Sequence, residues 1–153
     1  MAKVNVGVIG LGFIGPAHME ALRRTGMVNV AAFSDNNPDV AKKSADQLGV
    51  DKYYIDYKEL LADKAIQAVH VCTPNFLHYP MVKDALNAGK HVVCEKPLAT
   101  TAKEAKELVD LAEKKGLQNA VNFNLRFYPL VRQSRQMISS GDVGRIYAIH
   151  GSY

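Results

Sequence analysis

The sequence predicts an α/β fold, a doubly wound parallel sheet with helices on both faces. Three observations predict it: short β-branched runs alternate with helical stretches, their spacing is that of right-handed crossovers, and a glycine loop follows the first run and opens a helix.

The first strand falls near residues 3–9, and the helix after it opens at Gly15 with Pro16 in its first turn, where the missing N–H has no helical partner. A second strand spans 28–34. The next helix has Asn37 as N-cap, Pro38 at its first position and Gly49 as its stop. A weaker strand lies near 52–54, followed by strands near 68–73 and 91–94. In "TAKEAKELVDLAEKKG", Thr101 and Glu104 form a capping box and Gly116 ends the helix. Its apolar stripe is Ala102, Ala105, Leu108, Val109 and Ala112, with a solvated Lys/Glu face opposite. The sixth strand lies near 118–123. Beyond it the pattern changes: residues 128–140 read as a helix, "GDVG" as a turn and 145–153 as a further strand with alternating sides.

The 153 residues, 48% of them hydrophobic, can bury one substantial core and allow no more than one complete domain. The formal charge of +4 is spread along the chain, without basic blocks, which argues against nucleic acid as a partner. Cys72 and Cys94 each close an apolar run and read as buried thiols in a reducing compartment, since no His or Cys stands at metal-ligand spacing. The N-terminus enters a strand pattern directly, and no apolar run approaches the roughly 20 residues of a spanning helix. A cytoplasmic location without membrane contact is expected.

"VGVIGLGFIGPAHMEAL" places Gly10, Gly12 and Gly15 in the G-x-G-x-x-G register of a Rossmann dinucleotide site. Gly10 permits the tight turn, Gly12 admits a pyrophosphate to the backbone, and Gly15 lets the helix pack closely on the strand. The amides around Phe13 and Ile14 face the anion at the helix N-terminus. Asp35, 20 residues past Gly15, stands where a carboxylate accepts hydrogen bonds from the adenosine ribose hydroxyls. Asn37 is better placed as the helix cap. Asp35 would repel a 2′-phosphate and Asn36 and Asn37 supply no balancing charge, so NAD is preferred over NADP.

The fourth strand ends in Thr73-Pro74-Asn75 with His78, the fifth in "AGKHVVCEKPLA", and "VNFNLRFYP" follows the sixth. With the glycine loop, these segments resemble the Gfo/Idh/MocA family of glucose-fructose oxidoreductase and inositol dehydrogenase over nearly the whole chain. Glu95-Lys96-Pro97 is the most particular of them. Gln67 departs from the Asp often found there, at the end of the strand away from the site.

The resemblance implies an NAD(P)-binding Rossmann domain followed by an α/β substrate domain, acting together in hydride transfer between the cofactor and a sugar, cyclitol or related polyol. Thr73, Pro74, Asn75 and His78 would lie along the cofactor, Glu95 and Lys96 near the nicotinamide ribose and substrate, and Asn122 and Arg126 at the cleft. His78 equally fits a partly buried helix histidine, and Asn122 and Arg126 equally fit polar groups at a strand end.

Chemistry gives Lys96 the sharpest expectation. Hydride transfer leaves charge developing on the substrate oxygen, and an ammonium donor aimed there stabilises it. A cationic nicotinamide beside Lys96 would lower its pKa and suit it to proton relay. Glu95 would hold the lysine or a ribose hydroxyl, and Pro97 would end the strand.

The family's usual histidine, often preceded by aspartate, belongs to a second-domain helix that this sequence does not reach. The expected organisation is therefore a dinucleotide-binding domain over 1–125, a connecting helix and turn over 126–144, and the first strand of the substrate domain over 145–153. That strand should seek a sheet edge and pair with its copy in another molecule, since the family's open sheet is its usual oligomer surface. Two other readings are a stand-alone dinucleotide-binding or redox-sensing module without turnover, and the family's NAD-dependent glycoside-cleaving branch.

Overall fold

The structure, a computed structural model, describes residues 3–151. By contacts the chain divides into two units, Met1–Asn122 and Phe123–Tyr153.

The first unit is built on six strands: β1 (Val4–Ile9), β2 (Val28–Ser34), β3 (Tyr53–Tyr54), β4 (Ala68–Val71), β5 (His91–Cys94) and β6 (Asn119–Val121). They form one sheet in the order β3-β2-β1-β4-β5-β6, and every pairing is parallel. The doubly wound fold is thus present. Because the winding reverses between β1 and β4, the connections leaving their carboxyl ends diverge to opposite faces and open a crevice there.

Five helices cover this sheet: α1 (Gly15–Thr25), α2 (Pro38–Leu48), α3 (Tyr57–Ala62), α4 (Asn75–Asn87) and α5 (Ala102–Lys115). Strand alternation sorts the apolar residues to two cores. Val8, Val30 and Phe33 pack with Met19 of α1 and Ala41 of α2. Ile9, Ala32, Val69, Val71 and Val92 pack on the other face with Leu60 of α3, Leu86 of α4 and Leu108 of α5.

The helix ends follow their side chains. Asn37 accepts from the N–H groups of Asp39 and Val40 at 3.0 and 3.3 Å. Thr101 and Glu104 form the reciprocal capping box, at 3.2 Å from Glu104 N–H and 3.1 Å from Thr101 N–H. Asp56 caps α3 through Lys58 N–H at 2.8 Å. In α5 the expected apolar stripe is narrower than its sequence, because only Leu108 and Ala112 are buried while Ala102 and Val109 are exposed.

The second unit contains a one-turn 3₁₀ helix, Asn124–Phe127, and α6 (Pro129–Ser140), which ends at Gly141 in the left-handed conformation (φ 84°). Over 145–153, where a strand of a substrate-domain sheet is expected, described residues 145–151 carry no β structure, and 152–153 lie outside the described residues. A strand is defined by its ladder, and no described segment pairs with this one, so its alternating pattern alone does not make it one. Among the described residues no helix is long and apolar enough to cross a membrane, and no group of three or more His, Cys, Asp or Glu could hold a metal ion.

Candidate functional site

The carboxyl ends of β1, β2, β4, β5 and β6 carry nearly all the residues singled out from sequence. At the tip of β1, Gly10 adopts φ +93°, and its N–H donates to the Ser34 carbonyl at 2.8 Å. A Cβ there would meet Thr73 Cγ2 at 2.9 Å and the Cys72 carbonyl at 3.0 Å, so conformation and space both require glycine. A Cβ on Gly15 would collide with the Gly10 carbonyl oxygen, which sets how closely α1 follows the turn.

Gly12 is different, for a Cβ there would meet nothing within 4 Å. The fold itself leaves that space open, beside a helix N-terminus that no side chain caps. Unsatisfied N–H groups and the positive end of the helix dipole converge there, the arrangement that holds a phosphate. Phe13 is almost wholly exposed next to it, and Ile14 occupies the N-cap position.

Asp35, partly buried at the end of β2, accepts from Leu11 N–H at 2.9 Å through Oδ2 and from Asn37 N–H at 3.0 Å through Oδ1. These bonds fix the carboxylate against the glycine loop, and each oxygen retains a lone pair for a further donor. Asp35, Gly10, Gly12, Thr73 and Pro74 together line a cleft of about 370 Å³, with Tyr57 and Phe76 on its apolar side. The fixed acceptor carboxylate of Asp35 and the open backbone at Gly12 fit the ribose and pyrophosphate of a dinucleotide.

Pro74 stands at the N-cap position of α4, Asn75 is its first residue, and both are exposed. His78 is fully buried. Its Nδ1 lies 2.6 Å from the Pro97 carbonyl and its Nε2 2.9 Å from the Thr73 carbonyl. Of the two readings of His78, cofactor contact and a buried helix histidine, its burial and its two carbonyl neighbours favour the second, in which it ties the tips of β4 and β5 together from beneath.

Lys96 projects from the tip of β5 and is exposed, and its ammonium has no hydrogen-bond or ion-pair partner among the described residues. The Lys96–Pro97 peptide is cis. Of the two partners expected for Glu95, the lysine or a ribose hydroxyl, the Lys96 ammonium is not bound to it. Glu95 is buried, Oε1 accepting from His18 Nε2 at 2.9 Å and from Asn122 Nδ2 at 2.6 Å, while Oε2 accepts from the Lys96 backbone N–H at 3.1 Å. Burial alone would raise its pKa, but the bonds from Asn122, His18 and Lys96 N–H outweigh it and hold the carboxyl below the usual range.

Behind Glu95, His18 Nδ1 lies 2.8 Å from His70 Nδ1, so a single proton is shared between the rings. Burial, and then the charge of His18, lower the His70 pKa from 6.5 to about 4. The two cysteines flank this cluster and are buried free thiols, as expected; burial and then the Glu95 charge push Cys94 up to about 12 and raise Cys72 as well. Neither is a nucleophile at neutral pH.

Residues 4–123 match the family described as an oxidoreductase family with an NAD-binding Rossmann fold. The chain belongs to that family. Among relatives of this Gfo/Idh/MocA group, levoglucosan dehydrogenase of Pseudarthrobacter phenanthrenivorans is 35% identical over the whole of this chain and 41% of its own length. Inositol 2-dehydrogenase/D-chiro-inositol 3-dehydrogenase of Lactiplantibacillus plantarum is 40% identical, covering 92% of this chain and 41% of its own. A solved levoglucosan dehydrogenase in complex with NADH and levoglucosan superposes with a TM-score of 0.88 at 34% identity, over 95% of this chain and 41% of that one. The chain thus spans less than half the length of these family members.

Asn122 falls at the end of β6 with its amide turned to Glu95. Arg126 belongs to the second unit, in its 3₁₀ turn, and its expected role at the cleft rests on the family resemblance alone. Two residues of the site were not singled out from sequence, His18 and His70. Their signal was present: His18 is a polar residue on the buried face of α1, and His70 interrupts the apolar run of β4.

Proposed function

We propose that this chain is the cofactor-binding part of an NAD-dependent oxidoreductase that moves a hydride between NAD and a hydroxyl-bearing carbon of a sugar, cyclitol or related polyol. The observation that carries this reading is the arrangement along one sheet edge: an open glycine backbone after β1, a fixed acceptor carboxylate after β2 and, after β5, a lysine ammonium with no partner among the described residues. Family membership and relatives named as dehydrogenases of levoglucosan and inositol support it.

Gly10, Gly12 and Gly15 with the first amides of α1, including those at Phe13 and Ile14, would hold the pyrophosphate. Asp35 would take the adenosine ribose, and Thr73, Pro74 and Asn75 would flank the cofactor along the cleft. The nicotinamide, when bound, supplies the two-electron acceptor or donor. Lys96 donates a hydrogen bond to the substrate oxygen and stabilises the charge that develops there as the C–H bond changes. Asn122 and Glu95 act beneath it. The complete enzyme would assemble as a homo-oligomer through the sheet of its second domain.

Gly12→Val separates binding from folding, because the site is open in the fold and would be filled by the pyrophosphate. We expect the melting temperature to change by less than about 2 °C while NAD affinity falls at least about tenfold. Unchanged affinity by calorimetric titration would place the pyrophosphate elsewhere.

Asp35 sets the choice of cofactor. Wild type should bind NAD more tightly than NADP, and Asp35→Ala should narrow that preference by about tenfold or more, since it removes the repulsion of a 2′-phosphate. Titration of both cofactors into both proteins checks it; a preference for NADP in the wild type would overturn the assignment.

A further inference from the structure

Glu95 is the junction of three elements. Its buried carboxylate joins α1 through His18, the end of β6 through Asn122 and the backbone of Lys96 through the N–H of that residue. Its own N–H continues the ladder to the Val71 carbonyl at 2.9 Å, and Asn122 N–H continues it to the Cys94 carbonyl at 2.8 Å. The main chain at the tip of β5 is therefore held on the sheet side by ladder bonds and on the cleft side by one carboxylate.

That carboxylate can stay in place only if its other oxygen is satisfied within the fold. Two donors meet it there, and one belongs to the helix that begins at the glycine loop. His18 is 8% exposed, so water does not readily replace it. Its ring is in turn fixed by His70, whose imidazole meets it edge-on with centroids 5.2 Å apart.

We propose that His18 is a positioning residue that, through Glu95, fixes the backbone of Lys96 and so couples the helix of the phosphate loop to the lysine at the reacting end of the cleft. The coupling has a plain geometric meaning. α1 starts at the open anion site, and His18 stands one turn into it, so a shift of the helix on binding an anion is passed to the Lys96 N–H through two hydrogen bonds. The groups facing the junction are His18 from α1, His70 from β4, Cys72 after β4, Cys94 on β5 and Asn122 after β6. The positioning of the backbone stands on geometry alone; its consequence for turnover rests on the function proposed above.

Amide hydrogen exchange on this chain tests the positioning without any catalysis. His18→Ala should speed exchange at the Lys96 amide at least about tenfold, with core amides of β4 and β5 changed less than about twofold. His18→Gln, whose side-chain amide can donate to the same Glu95 oxygen, should restore protection to within about threefold. Asn122→Ala removes the second donor and should act in the same direction, which keeps the test available if His18→Ala does not fold. An unchanged Lys96 amide in the folded variants overturns the proposal, and so does a uniform acceleration across β4 and β5, which would mark a merely structural role.

In the complete enzyme, His18→Ala should lower kcat about tenfold with the KM for NAD within about threefold, and His18→Gln should recover most of it. A lowered cofactor affinity with kcat retained would also overturn the coupling to Lys96. A wild-type enzyme that binds NAD but oxidises no polyol would instead refute the proposed function, and the exchange result would stand independently of it.

Discussion

Lys96→Ala in the complete enzyme is expected to lower turnover at least about a hundredfold, while NAD affinity changes little. The expectation comes from where the side chain is and what it lacks. Lys96 is exposed at the tip of β5, its ammonium is bound to no described residue, and the carboxylate beside it is committed to His18, Asn122 and the main chain. Its ammonium thus pairs with no described residue and, under the proposed function, is the donor to a substrate oxygen. Loss of one such donor typically removes about 3 kcal/mol of transition-state stabilisation, which is the hundredfold. The fold should tolerate the change, because a surface side chain with no partner leaves no buried group unsatisfied. Steady-state kinetics and cofactor titration must therefore separate. If affinity collapses while turnover per bound cofactor survives, Lys96 is a clamp for the cofactor and the assigned role is wrong.

Acid is expected to destabilise the first unit through His70. In the unfolded chain this histidine binds a proton near its ordinary 6.5; in the fold, burial and then the neighbouring His18 charge bring that down to about 4. Between those values the unfolded state binds more protons, so stability falls as pH falls. The loss is complete once both states are protonated, and the shift corresponds to about 3 kcal/mol. Glu95 acts in the same direction at lower pH. Its carboxyl is held below its ordinary 4.5, so its contribution is present above that value and lost as pH falls through the folded pKa. The variant that isolates His70 is His70→Asn, since the amide nitrogen of asparagine takes the place of Nδ1 and can still donate to His18 without titrating. Denaturant melts from pH 7 to 4 should show a clear slope in the wild type and a flatter one in the variant. Equal slopes would remove His70 as its source.

How much of this was legible in the sequence depends on the range of the interaction. Capping is local, so Asn37, Thr101 with Glu104, and the glycines at 49 and 116 placed helix ends that the structure reproduces. Strand periods with crossover spacing determined the sheet and its winding, because a right-twisted strand and a right-handed helix pack back in only one sense. The glycine register and Asp35 were readable for the same reason: the motif closes within β1, its turn, α1 and the end of β2.

Residues 145–153 show the limit of periodicity. Alternation marks which faces a strand would present, yet pairing needs a neighbour, and the described residues offer none.

Pattern alone also left the partners of Glu95, His78, His18 and His70 undetermined. Those partners come from residues 77, 19 and 52 positions away, brought together by sheet order and by the face on which each side chain falls. The sequence by itself determined that the glycine loop, Asp35 and Lys96 would share one sheet edge. Only the tertiary structure decided that Glu95 and His78 lie beneath that edge, because a hydrogen bond is specified by position in space to within a fraction of an ångström, and strand and helix periods specify only a side.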